Sequence, residues 1–106
     1  MENLEQFAKQ RLDFNRQKIS LKESQQERLT VSYNGGMFRV NLELMSFLAS
    51  WPADNDLYLE DLYENPVLIL DCQELLYKCR MRWQEVMNDW HNQLQDLRKV
   101  RKIDQL

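Results

Sequence analysis

Two cysteines, one histidine and a short run of carboxylates are the groups from which a catalytic or metal site would have to be built in this sequence. Cys72 and Cys79 lie seven residues apart. On a helix that spacing puts both on one face, about 10 Å apart, which is farther than a disulfide tolerates. They are expected to be free thiols in a helical core, in a reducing compartment. A nucleophilic thiol needs an activating base, and none is apparent within a helical turn of either. The neighbouring Leu75 and Leu76 point to burial, which raises a thiol pKa, while a helix N-terminus at Cys72 acts the other way. His91, the only histidine, stands 12 residues beyond Cys79, too far to share a metal with the thiols. Asp54, Asp56, Glu60, Asp61 and Glu64 are closely spaced. Asp54-x-Asp56 opens like a calcium loop, but the glycine and the terminal bidentate glutamate of such a loop are missing. Asn34-Gly35-Gly36 joins two strand-like segments with no helix directly after it, so it reads as a turn and not a phosphate cradle. These residues imply no catalytic site, metal, cofactor or small-molecule substrate.

The elements that carry them read as an α+β fold. With 106 residues the chain is long enough for one domain, 1–106, and two glycines with two prolines argue for long regular elements. A helix is predicted over residues 2–27, where Phe7, Phe14 and Leu21 recur every seven residues. Leu4, Ala8, Leu12 and Ile19 widen that apolar face. A head follows over 28–70. Leu29 to Tyr33 and Met37 to Val40 alternate around Asn34-Gly35, the strongest hairpin signal in the chain. Asn41 is placed to cap a short helix carrying Leu44, Phe47, Leu48 and Trp51 and stopped by Pro52. Leu57 to Leu62 and Val67 to Leu70 read as strands around a turn at 63–66. Asp71 and Glu74 form a capping box, and a long helix is expected over 71–104. Its seam runs Leu76, Cys79, Trp83, Val86, Trp90, Gln93, Leu97 and Val100, a 3-4 alternation with Leu94 beside Gln93. At roughly 45 Å such a helix outreaches a small domain.

Shifting the chain by 30 residues lays Tyr33 on Tyr63, Gly35 on Asn65, Val40 on Leu70 and Asn41 on Asp71. That match implies a tandem ββα pseudo-repeat and a small four-stranded antiparallel sheet. The two terminal helices would pair as an antiparallel stalk. A head of this size is too small to cover so long a seam, which points to a homo-oligomer or a stable protein partner. Of the head aromatics Tyr33, Phe38, Trp51, Tyr58 and Tyr63, most are expected in the core and one or two at an interface.

Charge is unevenly spread. Residues 41–77 hold eight acids and no Lys or Arg, whereas 1–40 and 78–106 each hold seven basic residues, against five and four acids. Such a field steers partners. An acidic head would dock on a basic surface, or copies would pack head to stalk. Arg98-Lys99-Val100-Arg101-Lys102 is the one basic run. Without interleaved aromatics, at a helix end where cations oppose the macrodipole, it argues against nucleic acid as the partner. No stretch is long and apolar enough for a membrane span, and the acidic start of the chain lacks the apolar core of a secretory signal.

Three strings carry a resemblance. They are Tyr33-Asn34-Gly35-Gly36-Met37-Phe38-Arg39 with Leu44 and Phe47-Leu48; Asp61-Leu62-Tyr63-Glu64-Asn65-Pro66-Val67 with Gln73-Glu74-Leu75-Leu76; and Trp83-Gln84-Glu85-Val86-Met87-Asn88-Asp89-Trp90. Together they resemble a family of small uncharacterised proteins of T-even-like contractile-tailed phages that infect marine cyanobacteria. The likeness covers most of the chain and carries no catalytic residue or cofactor. It implies a non-enzymatic structural or assembly protein, in the virion or the cytoplasm of the infected cell, with a larger phage structural protein or its own copies as partner. The alternative it leaves is a small adaptor or inhibitor that binds a host protein through the acidic head. The expected contact residues are Phe7, Phe14, Leu21, Trp83, Val86, Trp90 and Leu97 on the helices, and Glu60, Asp61 and Glu64 in the head.

Overall fold

The computed structural model describes the backbone of residues 2–52 and 55–104, and the side chains of 3–52 and 55–100. It is an α+β arrangement in the order α1 (Glu2–Glu27), β1 (Thr30–Tyr33), β2 (Gly36–Arg39), α2 (Leu42–Ser50), β3 (Leu57–Glu60), β4 (Pro66–Ile69) and α3 (Cys72–Asp104). The chain forms two compact units. One is the head, Arg28–Val86, and the other joins Met1–Glu27 to Met87–Leu106. The helix α3 contributes its first half to the head and its second half to the helical unit.

In the head, β1 and β2 pair antiparallel from Thr30↔Arg39 to Tyr33↔Gly36. Asn34 and Gly35 turn the chain with φ of 45° and 83°, the doubly left-handed geometry that this dipeptide tolerates best. The second hairpin pairs Leu57↔Ile69 through Glu60↔Pro66. The expected four-stranded sheet does not form, because the ladders stay as two two-stranded sheets. They meet at Met37, whose carbonyl accepts the Leu62 N–H at 2.8 Å and whose N–H donates to Asp61 Oδ2 at 3.2 Å. The chain folds into its turn immediately there, so no further rung is added.

The 30-residue offset holds for half of each repeat. Gly36–Arg39 maps onto Pro66–Ile69, and the first residue of α2, Leu42, maps onto the first of α3, Cys72. The first strands do not correspond: β1 would map onto 60–63, but β3 is Leu57–Glu60. The first hairpin closes on two residues and the second on five, 61–65, which moves β3 back by three. Tyr33 is therefore buried at 6% exposure, while its sequence counterpart Tyr63 lies in the turn at 71%. The strand expected to run to Leu62 stops at Glu60, and Leu70, expected in β4, is exposed beyond it.

Both helix caps are present. Asn41 Oδ1 accepts the Leu44 N–H at 2.7 Å, and Asp71 Oδ1 accepts from Gln73 and Glu74 at 3.0 and 3.2 Å. The capping box is completed differently from expectation. The Asp71 N–H donates to Tyr33 Oη at 2.9 Å, so the start of α3 is held by β1 and not by a returning Glu74 side chain. Trp51 is extended because the residue before a proline disfavours the helical region, which ends α2 at Ser50. Leu48, Ile69, Leu75, Val40, Val86 and Cys79 form the most deeply buried part of the core, all within the head.

Gly36 marks the closest approach of the hairpins, since a Cβ there would sit 2.7 Å from Val67 Cγ2 and 3.2 Å from Phe38 Cε2. Gly36→Ala is expected to lower stability by roughly 1–3 kcal/mol through overpacking. Gly35→Ala meets no atom but must hold a positive φ, at about 1–2 kcal/mol. Urea unfolding of the two variants checks both values.

Candidate functional site

The two thiols are sealed in the core. Cys72 and Cys79 are buried free cysteines. Burial pushes the Cys79 thiol up to about 11. The Cys72 thiol is also raised, first by burial and then by the neighbouring Asp71 carboxylate. Burial and the Asp71 charge thus overcome the lowering expected from the helix N-terminus. His91 is exposed on α3. Among the described residues no three His, Cys, Asp or Glu side chains converge, and no helix is long and apolar enough to cross a membrane. Asp54 lies outside the described residues.

The acidic candidates have different roles. Glu60 and Glu64 are exposed, Glu64 with φ of 62° in the turn. Asp61 faces inward at 8% exposure. Its Oδ1 accepts the N–H groups of Tyr63 and Asn65, each at 3.0 Å, and its Oδ2 accepts that of Met37. The Asn65 N–H is the largest influence and holds the carboxyl below its usual range; partial burial opposes it, and the Met37 and Tyr63 N–H groups reinforce it. Asp61 is therefore the joint between the hairpins and is spent on the fold. Sequence reading placed it among surface acids because nothing in its own segment marks Met37 as a partner 24 residues away.

Beside this joint lies a cleft of about 350 Å³. The strand β2 supplies Phe38 and Arg39, α2 supplies Glu43, Leu44 and Phe47, and the β3 end supplies Leu59, Glu60 and Leu62. Phe47 and Leu62 are each 39% exposed, which leaves an open apolar floor between two glutamates. The Phe47 ring stacks on Trp51 at 5.6 Å, and Trp51 Nε1 donates to the Asn55 carbonyl, so α2 presents Phe47 from a braced position. Tyr58 and Tyr63 are the two exposed head aromatics among those expected, whereas Tyr33 and Phe38 are core. The cleft itself was not anticipated; Leu44 and Phe47 read as ordinary core positions of a short helix.

The helical unit is built differently. Among its described residues no apolar side chain is fully buried. Phe14, Leu21, Trp90 and Leu97 are half-buried. Leu4, Phe7, Leu12, Ile19 and Val100 are more than half exposed. Asn15, Lys18, Ile19 and Lys22 of α1 line a groove of about 380 Å³ with Trp90 and Leu94 of α3, so Leu94 does supplement the exposed Gln93. The expected contact residues therefore divide. Phe7, Phe14, Leu21, Trp90 and Leu97 belong to the helical unit. Trp83 is half-buried in the head, and Val86 is fully buried there and has no surface to offer a partner.

A carboxyl lowered in the folded state stabilises fully above its ordinary pKa of about 3.9 and loses that stabilisation as pH falls through the lower folded value. The melting temperature of the native protein should accordingly drop more steeply below about pH 4 than that of Asp61→Asn, which should start lower at neutral pH and follow a flatter acid limb. Both thiols should react with an aromatic disulfide reagent at pH 7 only after unfolding; rapid labelling of the native chain would contradict their burial. Comparison of the chain with protein-family models, curated proteins and solved structures finds no match in any of the three.

Proposed function

We propose that this protein works without catalysis, by protein–protein contact, as a structural or assembly component of a contractile-tailed phage particle. The observation that carries the contact reading is the uneven distribution of burial. The head holds every fully buried apolar side chain described, and the helical unit holds none. Helices are stabilised mainly by packing an apolar face, and isolated ones of this polarity are marginal in water. A surface that exposes Leu4, Phe7, Leu12 and Ile19 along one helix gains most when another protein covers it. The unit carries nine basic residues and eight acids, so no strong field of one sign opposes a protein surface there or draws in nucleic acid. The phage assignment rests on the three resembling strings.

Quantitative mass spectrometry of purified particles tests this assignment. The chain is expected at a defined copy number, in a ratio set by the symmetry of its site. Its absence from particles and from assembly intermediates, with abundant free protein in infected cells, would favour a host-directed adaptor instead. The contact face has its own test. Leu12→Glu with Ile19→Glu should abolish partner binding while changing thermal stability by no more than about 0.5 kcal/mol each, as befits exposed positions. Unimpaired binding by that double variant would remove α1 from the contact.

A further inference from the structure

Resting on the protein-contact reading, we propose that the cleft between α2 and the end of β3 receives the basic C-terminal segment of a second copy of this chain. The cleft offers an apolar floor of Leu44, Phe47, Leu59 and Leu62 with Glu43 and Glu60 at its edge; Arg39 is the one cation on its lining. The surrounding segment 41–77 supplies acids alone. The chain's only basic run has the complementary make-up. Arg98 and Lys99 are exposed on α3 beside Val100, itself 56% exposed, and the sequence continues Arg101-Lys102-Ile103. Lysine and arginine lay their methylene stems on apolar surface while holding the charge at the edge, which is what a cleft with an apolar floor and carboxylate rim accepts. Apolar burial then supplies affinity, and the paired charges supply register and encounter rate.

The two halves of this contact lie on different surfaces of one sequence. Each copy donates a segment and receives one, so the contact closes as a reciprocal two-fold dimer or a ring, or continues as an open filament. A second copy is favoured over an unlike partner because the acidic cleft and the basic run are both already encoded in this chain.

The experiment is sedimentation velocity on the full-length chain at low salt, with two charge-reversed variants. One carries Glu43→Lys and Glu60→Lys, and the other Arg98→Glu and Lys99→Glu. The native chain is expected to form species larger than the monomer that shrink as salt is raised. Each variant alone should self-associate about ten-fold more weakly or worse. Mixed in equal amounts, the two variants should associate again, because one retains an intact cleft and the other an intact segment, and the reversed charges of the remaining two halves also complement each other. Circular dichroism confirms folding of each. Leu62→Ser, which leaves every charge in place, gives a second route to the same loss. A monomeric native chain, unchanged assembly of both variants, or a mixture that stays unassociated each overturns the proposal. A monomeric chain that is nonetheless found in particles would overturn this contact and leave the protein-contact reading standing.

Discussion

The Asp61 carboxylate joins what would otherwise be two separate two-stranded hairpins. A lone hairpin is marginal in water, and two that share no ladder gain little from each other through strand pairing. Here one carboxylate collects three backbone N–H groups, two from its own turn and one from Met37 of the other hairpin. Charge-assisted bonds of this kind are stronger than neutral ones, and they satisfy donors that the turn would otherwise leave unpaired. The close approach at Gly36 depends on the same joint, since Val67 and the Asp61 Cβ occupy the space a side chain there would need. Tyr33 then ties β1 to the first turn of α3, and Asn34 Nδ2 donates to the Leu68 carbonyl at 2.9 Å. With the hairpins held, α2 and the first half of α3 pack their apolar faces against them.

That packing uses up the chain's capacity to bury apolar surface. A domain of this size buries a modest share of its surface, and here the buried share lies in the head. The long seam of α3 shows the consequence along a single helix. Leu76, Cys79 and Val86 are buried, Trp90, Leu94 and Leu97 are half-buried, and Val100 is exposed. Arg28–Glu85 at 3.7 Å and Arg82–Glu85 at 3.4 Å are partly solvated, and such pairs contribute little. The surface left over thus carries exposed apolar side chains on the helices and a net acidic charge in the head.

Much of this was legible from residue order. Local chemistry determined the α+β class, the Asn34-Gly35 turn, the caps at Asn41 and Asp71, and the long helices, because each depends on neighbours a few residues apart. The periodicity also located the apolar seam of α3. Tertiary structure decided what depends on distant partners. The three-residue shift of β3 exposes Tyr63 where the matching Tyr33 is buried, although the residue types are the same. Asp61 left the surface acids because Met37 reaches it across the fold. Tyr33, not Glu74, completed the cap of α3. The cleft beside Phe47 exists only where three elements meet. Short-range preferences are written in consecutive residues, whereas the pairing of groups 24 or 38 positions apart is settled only when the hairpins are brought together.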